Sequence, residues 1–312
     1  MTLAFIFPGQ GSQSVGMGQD LFEAFPTARE VFEEVDDALD QKLTAIMFNG
    51  PAEDLTLTAN TQPALMAHSI AVARVMGEQF DVPVTRAAYV AGHSLGEYSA
   101  LCAVGALGLA DTARLLKLRG EAMQQAVPVG EGGMAALLGA SLEDAKTLCD
   151  AVDGVLEVAN DNATGQVVVS GEMGAVEQAV AKSRDLGIKK AVVLPVSAPF
   201  HSSMMSPAAD AMRDALQDVE IAAPAVPLVS NVKAEAVSDP ATIRDDLVAQ
   251  VTGTVRWRES VMWMAAHGVE HMAELGAGKV LTQMTRRIDK SVRGTALGTP
   301  EEIEAFAKAL EG

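Results

Sequence analysis

The pentapeptide GHSLG, residues 92–96, holds one serine between two glycines, directly after the small apolar run AAYVA and directly before EYSALCAVGAL. A serine on a sharp strand-to-helix turn lifts its hydroxyl above a sheet, and flanking glycines permit the close backbone approach that such an elbow demands. The Leu95 amide, in the first helical turn, has no acceptor within the helix and can face a developing oxyanion. Ser94 would equally serve as a helix N-cap. The order strand, turn, helix favours the nucleophile.

A serine hydroxyl needs a base to become reactive. The chain has five histidines, His68, His93, His201, His267 and His271. His93 adjoins the serine, but neighbouring side chains diverge on a tight turn, so it packs or hydrogen-bonds beside the site. His68 falls inside a predicted helix, and His267 and His271 flank GVE near a turn; these three read as surface or structural. His201, in LPVSAPFHSSMMSP, follows a predicted strand in a proline-bounded loop, where such folds place catalytic groups. It is the candidate base, with a plain loop or helix-start histidine as the alternative. No acid completes a triad: α/β-hydrolases run serine, acid, then a late histidine, whereas the chain continues from His201 to Gly312. A main-chain or amide carbonyl can orient the ring instead, and the base is then expected to titrate near an ordinary histidine value of about 6.5.

The elements that must hold these residues alternate in type. TLAFIFPGQG reads as a strand stopped by Pro8 and Gly9, LFEAFPTAREVFEEVDDAL as helix interrupted near Pro26, and TQPALMAHSIAVARVMGEQF as a long amphipathic helix. AAYVAGHS is the next strand, and Leu95, Tyr98, Leu101 and Val104 form an apolar stripe along the helix after it. From residue 127 the order is GGMAALLGA strand, SLEDAKTLCDAV helix, LEVANDN strand, QVVVSG strand, EMGAVEQAVAKSRDLG helix and KKAVVLPVS strand. That β-α-β-β-α-β order is ferredoxin-like. Residues 127–197 are therefore expected as an α+β subdomain inserted into an α/β core formed by 1–126 and 198–312. A helix near 204–218, a PLVSN strand, the helix WRESVMWMAAHG and a strand in VEHMAELGAG follow.

The composition narrows the function classes. With 312 residues, 49% of them hydrophobic, the chain can bury a large core. Its formal charge of −18 argues against nucleic-acid or anionic-membrane surfaces. Two cysteines, Cys102 and Cys149, fit neither a disulfide framework nor a metal cluster. No segment reads as a signal peptide or membrane span, and FPGQGSQ lacks the GK[ST] ending of a phosphate loop. The expectation is a soluble cytoplasmic protein without metal or other cofactor.

FPGQGSQ at 7–13, TQPAL at 61–65, GHSLGEYSAL at 92–101, Arg119 in KLRG, APFHS at 198–202, SNV at 230–232 and Gln250 before VTGTVRW occur in one order. Together they resemble the malonyl-CoA:acyl carrier protein transacylases of type II fatty acid synthesis, along essentially the whole chain. The resemblance implies a hydrolase-like three-layer α/β core with a parallel sheet, and the inserted subdomain. It implies Ser94 as nucleophile, His201 as base, the Gln250 carbonyl orienting that base, and the Gln10 and Leu95 amides as oxyanion hole. From pattern alone Arg119, near a predicted helix end, reads as a solvated charge; the resemblance makes it the clamp for the malonyl carboxylate. Phe200 matches malonyl-selective members. The partners implied are malonyl-CoA and acyl carrier protein, in a monomer that binds neither nucleic acid nor membrane. A polyketide acyltransferase is the nearest alternative, and a serine thioesterase or hydrolase a more distant one. An acidic carrier protein would need a local basic patch, for which the adjacent pairs Lys189–Lys190 and Arg286–Arg287 are the candidates.

Overall fold

Leu3, Phe5 and Phe7 enter one apolar cluster while Ala4 and Ile6 enter another, so strand β1 (Leu3–Phe7) is buried on both faces. That is the pattern of a central strand in a sheet covered on both sides by helices. The computed structural model describes residues 1–196 and 198–311. After β1 come β2 (Tyr89–Gly92), β3 (Gly132–Leu138), β4 (Leu156–Ala163), β5 (Gln166–Glu172), β6 (Lys190–Val193), β7 (Leu228–Val229), β8 (Ala236–Val237), β9 (His271–Leu275) and β10 (Arg293–Leu297).

The larger sheet runs β10-β9-β1-β2-β7-β8, parallel except for the final β7–β8 pair. Helices Trp257–Ala266 and Val280–Ile288 cover the Ala4 and Ile6 face with Trp257, Val261, Met264, Leu281 and Met284. Helices Pro26–Leu39, Thr58–Phe80, Gly96–Ala103 and Leu109–Gln125 cover the other. The three-layer α/β expectation holds. Pro26 ends one helix and opens the next at its first turn, where its missing N–H costs nothing.

The helix expected from Thr61 onward begins at Thr58 and is not amphipathic. Nearly every residue from Thr58 to Met76 is buried, because the helix lies between Pro26–Leu39 and Leu109–Gln125. A helix enclosed by neighbours keeps no solvent face. This places polar residues such as Gln62 in the interior.

The smaller sheet is antiparallel, in the order β4-β5-β3-β6, with helices Leu142–Asp150 and Met173–Lys182. Ala135, Leu137, Val167 and Val169 pack on those helices, while Met134 and Val168 face the main core. Alternation along a strand thus gives this sheet one face for itself and one for the site. The strand expected over KKAVVLPVS ends at Val193, and Ser197 lies outside the described residues.

Candidate active site

The turn after β2 explains its glycines. A Cβ on Gly92 would stand 1.9 Å from the Gly96 carbonyl carbon, and one on Gly96 would stand 2.2 Å from the Phe7 carbonyl oxygen. Both obstacles are backbone, so neither position accepts a side chain. Ser94 itself has φ 52°, the left-handed region that L residues seldom occupy. Asn231 holds the turn in that shape. Its Oδ1 accepts the Ser94 amide at 2.8 Å and its Nδ2 donates to the Gly92 carbonyl at 2.7 Å.

His201, at φ 58° and 4% exposed, faces the serine from the opposite side. Its Nδ1–H donates to the Gln250 main-chain carbonyl at 2.8 Å, which leaves Nε2 as an acceptor for the Ser94 hydroxyl, also at 2.8 Å. A carbonyl thus occupies the place of a triad acid. Burial, and then the Arg119 charge, push His201 down to about 3, against the expectation of an ordinary value. The lowered pKa keeps the ring in its neutral form, with Nε2 free to accept the serine proton.

Arg119 is 1% exposed, within helix Leu109–Gln125, so the pattern-only reading as a solvated charge is wrong. Its Nη1 donates to Gln62 Oε1 at 2.8 Å, and Nη2 to Gln250 Oε1 at 2.9 Å and Ser94 Oγ at 3.2 Å. Nε has no hydrogen-bond partner among the described residues. None of their ion pairs involves Arg119. The guanidinium is held by two neutral amide oxygens and lies over the Tyr98 ring, 5.8 Å from its centroid. A buried cation without a contacting carboxylate is costly by itself and suited to receive one.

Gln10 and Leu95 line the same cavity as Ser94, His201 and Arg119. Among the described residues neither backbone amide donates to a main-chain acceptor, whereas the Gly96, Glu97 and Tyr98 amides are all engaged. Gly9 brings the first loop against the elbow, since a Cβ there would meet the His93 carbonyl at 2.7 Å. Met123, Met134, Leu194, Val196, Phe200 and Met284 supply the apolar walls.

The other histidines direct their rings to partners other than Ser94. His93 turns to Asn162 Oδ1 at 2.8 Å, His68 to the Gly298 carbonyl at 3.0 Å and His271 to Thr295 Oγ1 at 2.8 Å, while His267 stacks on Trp263. Gln62, Asn231, Asn162 and Glu97 were not singled out by sequence reasoning. The first two stand in TQPAL and SNV, polar residues beside apolar ones, which is the signal that could have found them. Glu97 is buried beneath the elbow, where burial raises its carboxyl to about 8 against the opposing hydrogen bonds from Asn231 and Gln250. Among the described residues no cluster of three or more His, Cys, Asp or Glu could hold a metal ion, and no helix is long and apolar enough to cross a membrane.

A serine and a histidine joined over a strand-to-helix elbow, on a mostly parallel sheet, define an α/β protein of the serine acyl-transfer class. The chain belongs to the acyl transferase family, whose domain model matches residues 4–302. An acyl-carrier-protein-S-malonyltransferase from Bartonella henselae has a solved structure similar to this chain, with 57% identity, a TM-score of 0.97 and full coverage of both chains. The malonyl CoA-acyl carrier protein transacylase of Escherichia coli strain K12 is 46% identical over 99% of this chain and 98% of its own length. The enzyme of the same description from Bacillus subtilis strain 168 is 42% identical over 99% and 97%.

Proposed function

We propose that this chain transfers the malonyl group of malonyl-CoA to the phosphopantetheine thiol of an acyl carrier protein, through a malonyl ester on Ser94. His201 Nε2 takes the Ser94 proton as Oγ attacks the thioester carbonyl. The tetrahedral oxyanion is held by the Gln10 and Leu95 amides. The carbon–sulfur bond then breaks, and the coenzyme A sulfur leaves with the proton from His201. In the second half the carrier thiol gives its proton to His201, attacks the ester and releases Ser94 with its proton restored.

The observation that carries the acyl-group assignment is Arg119, a buried guanidinium lacking a contacting anion, 3.2 Å from the serine oxygen. A planar fork matches a carboxylate, and the malonyl group bears one two bonds from its thioester carbonyl. The cavity, about 190 Å³, is below the ~300–1,000 Å³ usual for drug-sized ligands. It suits a three-carbon acyl group, with the coenzyme or carrier arm reaching in from outside.

Residues 127–197 form the inserted subdomain in this reading, with 1–126 and 198–312 as the catalytic core. The protein works as a cytoplasmic monomer. Intact-mass measurement tests the function. Malonyl-CoA alone should leave one malonyl ester, absent from Ser94→Ala, and holo carrier protein should remove it. A label that persists in Ser94→Ala, or one lost to water as quickly as to carrier protein, would overturn the transferase reading.

A further inference from the structure

Glu97 stands in the first turn of the helix behind Ser94 and is 1% exposed, yet none of the chemical steps above uses it. Its Oε1 accepts the Asn231 amide at 3.2 Å, and its Oε2 accepts from Gln250 Nε2. The same Nε2 donates to the Ser94 carbonyl at 3.0 Å, while Gln250 Oε1 accepts from Arg119 Nη2 at 2.9 Å. The Gln250 side chain therefore bridges a buried acid and a buried base that do not touch.

A carboxamide has one donor end and one acceptor end. With its NH₂ drawn to Glu97 and to the Ser94 carbonyl, its oxygen must face the guanidinium. Turned over, it would set donor against donor at Arg119 and acceptor against acceptor at the Ser94 carbonyl. We infer that Glu97 is a positioning residue for recognition of the substrate carboxylate: through Gln250 it fixes the aim of the Arg119 guanidinium. The inference rests on the malonyl reading above.

The interposed amide matters for a second reason. An acid in direct contact with Arg119 would occupy the fork that the substrate needs, whereas Glu97, one amide away, orders the fork and leaves it open. Asp246, the other acid whose charge acts on Glu97, pairs with Lys233 at 3.0 Å, and among the described residues it makes no ion pair with Arg119. Gln62 holds the other guanidinium nitrogen at 2.8 Å.

The test uses the intact enzyme and rates of serine acylation from malonyl-CoA and acetyl-CoA. Glu97→Met removes both acceptor oxygens at similar volume, and Gln250→Met removes the bridge while keeping the main-chain carbonyl. Each should lower the malonyl-to-acetyl ratio of kcat/KM by about tenfold, the weight of one misplaced charge-assisted hydrogen bond. The loss should fall mainly on KM for malonyl-CoA. The double variant should lose no more than the single ones, because both break one chain of contacts. Equal losses for the two acyl groups would reduce Glu97 to a structural part and overturn the proposal, as would multiplicative losses in the double variant. Should Glu97→Met fail to fold, Gln250→Met, which leaves Glu97 in place and removes the bridge, is read in the same way, and an unchanged ratio refutes the idea. Failure of wild-type malonylation would instead count against the function itself.

Discussion

Ser94 and His201 both adopt left-handed backbone, at φ 52° and 58°, and their side chains meet at 2.8 Å. Each conformation costs on the order of 1–3 kcal/mol and persists only where the surroundings dictate it. At Ser94 those surroundings are two glycines and the Asn231 clamp. The reacting pair is thus placed by strain in the backbone that hydrogen bonds elsewhere in the elbow hold.

That origin can be read in stability. Ser94→Gly should be more stable than Ser94→Ala by about 1 kcal/mol, since both lose the hydroxyl but only glycine is relieved of the left-handed penalty. Gly96→Ala, whose Cβ would meet the Phe7 carbonyl, should cost roughly 1–3 kcal/mol or more. Urea denaturation of the three variants decides the matter. If Ser94→Gly and Ser94→Ala unfold alike, the turn is not strained.

Arg119 offers a selectivity test of its own. Arg119→Lys keeps the charge but cannot reach both Gln62 and Gln250, so the planar fork is lost. The preference for malonyl over acetyl transfer should fall by the ~10- to 150-fold that a charge-assisted bond of about 1.5–3 kcal/mol supports. Acetyl transfer should change little. Parallel losses in kcat/KM for both substrates would mean that the arginine holds structure and does not read the carboxylate.

Ser94 and His201 were legible in the sequence because each is a chemically distinctive residue in a short motif bounded by turn signals. The β-α-β-β-α-β order was legible because its strands and helices alternate with clear periodicity. The burial of Arg119 was not, since nothing in KLRG discloses that Gln62, Gln250 and Tyr98 come to surround it. Gln62 was hidden for the same reason: its helix keeps no polar face against which a buried amide would stand out. Glu97 reads locally as an ordinary first-turn acid favoured by the helix dipole, and its burial depends on Gln250 and Asn231 arriving from remote parts of the chain. Solvation of His201 was misjudged on that account too. How far a side chain is buried is settled by what the fold lays over it.

The basic pairs can be tested as a docking patch. Lys189, Lys190, Arg286 and Arg287 are all exposed, and Arg287 Nη1 donates to Gln166 Oε1 at 2.9 Å, tying its helix to the smaller sheet. Against a net charge of −18, a local patch is what an acidic carrier protein would seek. Arg286→Glu combined with Lys190→Glu should raise KM for the carrier several-fold, more at low salt, and leave KM for malonyl-CoA unchanged. Both arginines also complement a helix C-terminus, so a thermal melt must accompany the kinetics. Parallel shifts for the two substrates, or none, would place docking elsewhere.

The pH dependence follows from the burial of His201. Its pKa is lowered to about 3, by burial first and the Arg119 charge second, with the Gln250 carbonyl pulling weakly the other way. In the folded protein the ring therefore stays neutral through the range where a free histidine titrates. Malonylation of Ser94, followed as kcat/KM in a rapid-quench assay, should show no inflection near pH 6.5, and its acid limb should lie below about pH 5. The malonyl carboxylate offsets the Arg119 charge once bound. Transfer from the malonyl-enzyme should then show a higher base pKa than transfer from the acetyl-enzyme, which brings no carboxylate. Stability carries the matching sign. Between about pH 3 and 6.5 the unfolded chain binds a proton at residue 201 that the folded chain refuses, so folding weakens as pH falls through that window. His271, lowered to about 4 by burial, acts in the same direction. His201→Gln should flatten that acid slope while abolishing acylation, which separates the proton linkage from the chemistry. An acylation midpoint at 6.5 in the wild type would show that water reaches the imidazole and that burial does not hold its pKa down.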